Sequence, residues 1–184
     1  MTVAISLLRG VNVGGHNCIK MDSLRTMYES LGLRNAQTYV QSGNVVFRTA
    51  GRDLVGLAKR IENKIEQTYG FRPTVINRSS SELRDAIARN PFAGRDGIHP
   101  GKLLVTFLAA DPTPEAREKI LGIQADPEEL QIDGRELYVY YPNGMGRSKL
   151  SAALIEKTLK TPGTGRNWNT VTKLLALAEK LEGL

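Results

Sequence analysis

Residues 36–48, AQTYVQSGNVVFR, are the stretch that decides the fold of this chain. β-Branched and aromatic residues lie on both sides of the tripeptide Ser42-Gly43-Asn44, whose residue types are typical of a tight turn. The pattern therefore predicts two short strands joined in a hairpin, and the segments around it determine which sheet the hairpin enters.

An amphipathic helix is predicted on each side of this hairpin. Residues 21–32, MDSLRTMYESLG, have apolar side chains at helical spacing, with Asp22 as the expected N-cap. Residues 52–70, RDLVGLAKRIENKIEQTYG, repeat that spacing. Apolar strands at Val3–Leu8 and Pro73–Arg78 complete the order β-α-β-β-α-β. This is the α/β plait, in which two helices cover one face of a four-stranded antiparallel sheet.

The second half repeats most of this order. KLLVTFLAA predicts a strand, Thr113-Pro114 starts a helix, ELQIDGRELYVYYP predicts a hairpin about Asp133-Gly134, and a helix follows from about Ser148 to Leu159. Where a last strand is due, NWNTVTKLLALAEKL has helical periodicity instead. We therefore predict an α+β protein of two ferredoxin-like α/β-plait halves, β-α-β-β-α-β and then β-α-β-β-α, with an added C-terminal helix.

The expected boundaries follow from this order. Residues 1–79 form the first plait, residues 80–101 form a linker helix and loop, and residues 102–184 form the second plait-like half with the C-terminal helix. The linker contains the Gly-, Pro- and Asn-rich stretch from about Asn90 to Gly101.

Composition narrows the class of protein. An apolar fraction of 41% and a charged fraction of 24% are those of a globular domain. No apolar run approaches the ~20 residues of a membrane span, so no membrane partner is expected. The N-terminus resembles a strand more than a signal peptide, and the single Cys18 suits a reducing compartment, which predicts a cytoplasmic protein.

Charge is basic overall and unevenly distributed. The net charge is +6, yet residues 111–136 carry three Lys or Arg against eight Asp or Glu. Such a distribution favours anionic partners on one side of the molecule, and it is also compatible with an ordinary solvated surface.

Three glycine-rich segments carry cations: residues 9–17 with Lys20 close behind, residues 143–149 and residues 162–167, the last two expected to enter helices. Glycine lets a ligand approach backbone N–H groups, a helix N-terminus adds partial positive charge, and arginine adds a bidentate fork. The candidate ligand-binding residues are Arg9, Asn12, Gly14, Gly15, Lys20, Arg147, Ser148, Lys149, Arg166 and Asn167.

Each of these segments also has a purely structural interpretation. The glycines can serve only to turn the chain, Arg147 and Arg166 can bond within the fold, and Asn167 can N-cap the last helix. Likewise, Tyr138 and Tyr140 share one face of a strand, where they either stack on nucleic-acid bases or pack inside the protein.

No motif predicts a cofactor, a metal or a catalytic group. The P-loop spacing is absent, and Trp168 stands where a G-x-G-x-x-G fingerprint would need its last glycine. His16 and Cys18 lack a third metal ligand nearby, and no Ser–His–Asp set is present.

Four blocks together resemble one known family. LLRGVNVGGHN, TYVQSGNVVF, YYPNGMGRSKL and GTGRNWNTVTKL are similar to the bacterial domain-of-unknown-function family 1697. The resemblance runs from the first strand to the last helix. It implies paired α/β plaits and, because the family has no established activity, it implies no catalytic residues.

The leading functional hypothesis is a non-catalytic module that binds an anionic ligand, with nucleic acid or another phosphate-bearing molecule as the partner. One alternative is an enzyme acting on a small phosphorylated or carboxylated metabolite. Another is a structural or partner-binding protein with residues 111–136 as its contact surface. The oligomeric state is open.

Overall fold

Two four-stranded antiparallel sheets and six α-helices make up the structure, a computed structural model that describes residues 1–184. The strands are β1 (Thr2–Leu8), β2 (Arg34–Tyr39), β3 (Asn44–Thr49), β4 (Val75–Ser79), β5 (Leu103–Leu108), β6 (Glu129–Asp133), β7 (Glu136–Tyr140) and β8 (Gly163–Asn167). The helices are α1 (Met21–Ser30), α2 (Leu54–Tyr69), α3 (Ser80–Ala88), α4 (Pro114–Leu121), α5 (Ala152–Leu159) and α6 (Trp168–Glu182). None of them combines the length and the apolar character that crossing a bilayer requires.

The first sheet has the strand order β2-β3-β1-β4, and α1 and α2 pack on one of its faces. Leu24 and Tyr28 of α1 and Ile61 and Ile65 of α2 are completely buried there. The ring of Tyr28 meets that of Phe47 on β3 edge-on, with 5.4 Å between centroids. Burial of each such side chain contributes roughly 1.5–3 kcal/mol to stability. Apolar residues are therefore required at each position that faces the sheet, which produces the helical periodicity in the sequence.

The second sheet repeats the first in strand order, as β6-β7-β5-β8. Leu137, Val139 and Tyr141 form a core on one face with Ile120 of α4 and Ile155 of α5. The predicted fold class, two ferredoxin-like halves with an added C-terminal helix, is therefore confirmed.

The second half also contains the last strand, which the sequence did not predict. Residues 163–167 pair antiparallel with β5, so they are not a loop. A Cβ on Gly163 would lie 2.9 Å from Thr106 Cγ2, and a Cβ on Gly165 would lie 2.8 Å from Leu104 Cδ2. The strand packs too closely on its neighbour for the β-branched residues that make strands recognisable.

The chain divides into two compact units, residues 1–85 with 173–184 and residues 86–172. The sequence analysis placed all of α6 in the second half, whereas the last residues of α6 pack within the first unit. There Arg84 pairs with Glu179 at 3.2 Å and with Glu182 at 3.0 Å, and Arg48 donates a hydrogen bond to the Leu181 carbonyl.

Two helix starts differ from the sequence prediction. The N-cap of α1 is Lys20 and not Asp22, which lies in the first turn of the helix. The helix expected from Ser148 begins at Ala152, and the side chain of Ser151 caps it by accepting a hydrogen bond from the Leu154 N–H.

Candidate functional site

The glycine-rich segment after β1, residues 9–20, is a set of turns with internal hydrogen bonds, among them Asn12 N–H to the Asn17 carbonyl and His16 N–H to the Val13 carbonyl. Gly14 and Gly15 have φ angles of 59° and 76°, and Asn12 and Asn17 have φ angles of 55° and 53°. All four lie in the left-handed region, which glycine and asparagine tolerate best. The glycines here therefore serve the turns of the chain.

Asn12 is used inside this segment. Its Oδ1 accepts a hydrogen bond from the Ile19 N–H at 2.8 Å, and its Nδ2 donates to the Ile19 carbonyl at 3.0 Å and to the Gln41 carbonyl at 2.8 Å. Both amide hydrogens are thus occupied, which corrects the prediction that Asn12 offers them to a ligand. Arg9 is half-buried and Lys20 is exposed, and their ligand roles stay predictions.

The side chains of Arg166 and Asn167 form hydrogen bonds within the fold. Arg166 is 8% exposed and donates from Nη1 to Thr164 Oγ1 at 2.8 Å and to the Gly165 carbonyl at 2.9 Å. Burial lowers the pKa of Arg166 to about 10. Asn167 Oδ1 accepts a hydrogen bond from the Thr170 N–H at 2.9 Å, as an N-cap does. Both side chains thus bond within the fold, as the structural interpretation expects, and the ligand role of residues 162–167 stays a prediction.

The two candidate stacking tyrosines are packed. Tyr138 is fully buried and its hydroxyl donates to the Ala86 carbonyl. Tyr140 donates to the Gly97 carbonyl at 3.2 Å, and its ring lies 6.1 Å from that of Phe92. A base can stack only on an open ring face, so Tyr138 cannot serve as a platform and Tyr140 is held by its neighbours.

Of the two cationic, glycine-rich segments predicted as ligand sites in the second unit, residues 143–149 are the one that stays on the surface. Met145–Arg147 form a 3₁₀ turn, preceded by Gly144 at a φ of 82°. Four residues separate the end of this turn from α5, so its cations are not at a helix N-terminus as the sequence suggested.

Hydrogen bonds hold the segment at both ends. Lys102 Nζ donates to the Pro142 carbonyl at 2.7 Å, and the buried Tyr141 hydroxyl donates to the Leu150 carbonyl at 3.0 Å. Ser148 Oγ accepts from the Leu150 N–H at 3.0 Å, so Ser148 shapes the segment. This anchoring places the exposed Arg147 and Lys149 side chains on a fixed backbone.

Arg147 and Lys149 line a cavity of about 280 Å³ together with Asn143 and residues 124–128. We call it the mixed-charge cleft, because Asp126 and Glu128 line it together with the two cations. Residues 124–128 are its acidic wall and residues 143–149 its cationic wall. It brings together two of the predicted ligand-binding residues, Arg147 and Lys149.

The carboxylates next to the cleft have two different environments. Glu129, which points away from the cleft lining, accepts two hydrogen bonds from Arg95 at 2.8 and 3.1 Å, and this hydrogen bonding lowers the pKa of Glu129. Glu128 lines the cleft, and after burial its charge is the second cause that raises the pKa of Tyr141 to about 12. Glu128 therefore lines the cleft close enough to Tyr141, an anchor of the 143–149 segment, to act on it electrostatically.

The carboxylates of the cleft, Asp126 and Glu128, were not among the ligand-binding residues predicted from the sequence. The available signal was the reversal of charge over residues 111–136, directly before the cationic segment. Only the fold shows that the two segments face each other.

A second cavity lies in the first unit and contains none of the predicted ligand-binding residues, although Asp22 and Lys64 line it. This groove of about 560 Å³ runs between α1 and α2, lined by Met27, Tyr69 and several hydroxyl side chains. The hydroxyls of Ser30 and Thr68 donate to carbonyls of their own helices. No three His, Cys, Asp or Glu side chains come together in an arrangement that could hold a metal ion.

The fold defines the class first: a mixed α+β protein built from two α/β plaits of identical strand order. The chain belongs to the family described as protein of unknown function (DUF1697), whose model matches residues 1–138. The resemblance inferred from the sequence blocks is thereby confirmed.

Among solved structures, the chain is similar to the conserved bacterial protein SP0830 from Streptococcus pneumoniae. The two chains are 23% identical, the match covers 97% of this chain and 99% of the other, and the TM-score is 0.70. At that identity the likeness establishes the fold alone. No curated protein sequence matches the chain.

Proposed function

We propose that this protein is a binding module that holds a small anionic group in the mixed-charge cleft. The observation that carries the proposal is the convergence of Arg147, Lys149 and Asn143 on one cavity. Arginine supplies a planar fork for phosphate or carboxylate, lysine supplies a compact positive charge, and the asparagine amide supplies neutral donors.

Preorganisation supports this role. The backbone under Arg147 and Lys149 is anchored through Pro142 and Leu150, so little ordering of the chain remains to be done when a ligand arrives. Sites that are already formed lose less entropy on binding and reach a given affinity with fewer contacts.

The size of the cleft favours a small molecule over a polymer. Ligand pockets usually measure ~300–1,000 Å³, and the cleft at about 280 Å³ is at the lower limit of that range. Its lining carries Asp126 and Glu128, which would repel a continuous phosphate backbone. Nucleic-acid binding is therefore supported by the net charge of +6 alone. We propose a small anion as the ligand instead.

A cytoplasmic location is part of the proposal. Cys18 is exposed and forms no disulfide, which suits a reducing compartment. The enzymatic alternative, in which the cleft acts on a phosphorylated or carboxylated metabolite, would show itself as turnover of the bound compound.

Titration with ethyl phosphate, followed by backbone amide chemical shifts, tests the proposal. We expect the shifts to concentrate in residues 124–128 and 143–149. The double variant Arg147→Ala/Lys149→Ala should lose at least about tenfold in affinity, because two charged contacts are removed.

The matched control is Lys119→Ala/Lys157→Ala, which removes two exposed cations of the same unit outside the cleft. It should bind as the wild type does. Equal losses in the two double variants would mean that only net charge matters, and salt-dependent filter binding of RNA and DNA would then be the experiment that supports the nucleic-acid alternative.

A further inference from the structure

We propose that the mixed-charge cleft recognises a zwitterion, with a phosphate or carboxylate group on Arg147 and Lys149 and a primary ammonium group on Asp126 and Glu128. The inference rests on the proposed function, since the same two cations hold the anionic end. It adds the second half of the ligand, which a site for a simple anion would not need.

The first argument is that the cleft has two walls of opposite charge. Residues 124–128 contribute two carboxylates, and the 143–149 segment contributes a guanidinium and an ammonium group. A simple anion in this cavity would be attracted by one wall and repelled by the other. A ligand carrying both charges removes that repulsion and turns it into a second attraction.

The second argument is that the two walls do not neutralise each other. The ion pairs of the second unit join Arg89 to Asp133 and Glu136, Arg95 to Glu129, Arg117 to Asp111 and Lys119 to Glu115. None of these pairs joins Arg147 or Lys149 to Asp126 or Glu128. The cavity holds the opposite charges apart and leaves space between them.

The neighbouring carboxylates of Glu128 and Glu129 differ in their surroundings, which is the third reason for the proposal. The Glu129 carboxylate accepts two hydrogen bonds from Arg95 and belongs to a closed pair. Glu128, one position earlier, lines the cavity instead. Glu129 is the first residue of β6 and Glu128 precedes the strand, so the two consecutive carboxylates have different surroundings, one paired with Arg95 and the other lining the cleft.

The fourth argument is scale. A cavity of about 280 Å³ would be roughly 8 Å across if it were spherical, which is about one Debye length at physiological ionic strength. A charge on either wall therefore lies within about one Debye length of a bound molecule, so salt weakens its interaction without removing it. An amine and an anionic group separated by two or three carbon atoms fit between them.

The experiment compares matched ligands by calorimetry or amide shifts on the full chain. O-Phosphoethanolamine carries both charges, ethyl phosphate lacks the amine, and ethanolamine lacks the phosphate. β-Alanine and propionate form the corresponding pair with a carboxylate. We expect the zwitterion of one pair or both to bind at least about fivefold more tightly than its amine-free partner, and ethanolamine to bind weakest.

The variant Asp126→Asn/Glu128→Gln keeps the shape of the acidic wall and removes its charge. It should abolish the preference for the zwitterion while ethyl phosphate still binds, with an affinity at or above that of the wild type. The control Asp96→Asn/Glu118→Gln makes the same change of net charge at exposed positions of the second unit outside the cleft, and it should keep the preference.

The failures of the two proposals are distinguishable. If ethyl phosphate and O-phosphoethanolamine bind the wild type equally, and propionate and β-alanine do so too, the zwitterion is ruled out and the anion site stands. If the control variant loses the preference as fully as the cleft variant, the effect is one of net charge and the zwitterion is again ruled out. If none of the five ligands binds, the proposed function fails first.

Discussion

Two segments of the second unit, residues 143–149 and residues 162–167, look alike in sequence and differ in the structure. Both are rich in glycine and carry an arginine, and both precede a helix. The first is an exposed turn whose Arg147 lines a cleft, whereas the second is strand β8, in which Arg166 is buried and bonded to Thr164 and Gly165. Glycine next to arginine therefore indicates a ligand site only where the backbone stays out of the sheet.

The largest effect that separates the two segments is expected for their arginines. Arg166→Ala should lower the free energy of unfolding by about 2–4 kcal/mol, because a buried side chain and its hydrogen bonds are lost. Arg147→Ala should change it by less than about 0.5 kcal/mol, as surface substitutions usually do. Urea denaturation of both variants measures this. Equal losses would contradict the division into a structural and a ligand-facing arginine.

The glycines provide the next test. Gly163→Ala should cost about 1–3 kcal/mol, because its new Cβ would lie 2.9 Å from Thr106 Cγ2 and 3.0 Å from Leu108 Cδ2. Gly146→Ala is the matched control, since a Cβ there meets no atom within 4 Å. The shift in melting temperature should be clear for the strand and small for the turn. A tolerant Gly163 would show that β8 is not packed as described.

These glycines also show why the sequence predicted the fold well and the last strand poorly. Helix periodicity in residues 21–32 and 52–70 and the Ser42-Gly43-Asn44 turn follow from local rules, and the first plait followed from them. In β8 the neighbouring strand β5 limits which residues fit, because only Gly can lie against Leu104 and Thr106. The close packing of β8 on β5 cannot be predicted from the periodicity of the sequence.

A third prediction concerns the anchor of the 143–149 segment. Tyr141→Phe should cost about 1 kcal/mol at neutral pH, because the Leu150 carbonyl loses its donor. It leaves the fold intact and loosens the turn, so the affinity for ethyl phosphate should fall while Arg147 and Lys149 are still present. Unchanged affinity would show that the anchor does not order the cleft.

The variant Tyr141→Phe should also change how the stability of the protein depends on pH. Burial raises the pKa of Tyr141 to about 12, so between pH 10 and 12 the folded state keeps a proton that the unfolded state loses, and stability falls as pH rises. Burial raises the pKa of Tyr28 and Tyr138 in the same direction, while the lowered pKa of Arg166 acts in the opposite direction. Because the three tyrosines outweigh Arg166, the free energy of unfolding should fall as pH rises. The variant Tyr141→Phe should make this pH dependence shallower. Unfolding curves from pH 9 to 11.5 test this.

The smallest effect is expected for neighbouring carboxylates of the acidic wall. Glu128→Gln should raise the affinity for ethyl phosphate about two- to fivefold, because a negative charge leaves the cleft. Glu129→Gln should leave the affinity unchanged, since that carboxylate is held by Arg95. Chemical-shift titrations resolve differences of this size, and equal responses would show that the two side chains do not face different ways.

The candidate site was accessible from sequence only in part. Arg147, Ser148 and Lys149 were among the predicted residues because their chemistry is visible locally. The opposite wall was not, since residues 124–128 are brought to the turn by the packing of α4, β6 and β7, and no short-range pattern reports that proximity. The burial of Arg166 was not predicted either, because burial is decided by distant parts of the chain.

The way α6 is shared between the two units affects how the protein can be made. Because residues 173–184 complete the first unit, a ribosome that has already released residues 1–85 must still translate the whole second unit before Glu179 and Glu182 can reach Arg84. The second unit is thus an insertion in the chain order of the first. A single cut after residue 85 therefore cannot yield an intact first half, whereas a circular permutant that joins residue 184 to residue 1 would make that half continuous.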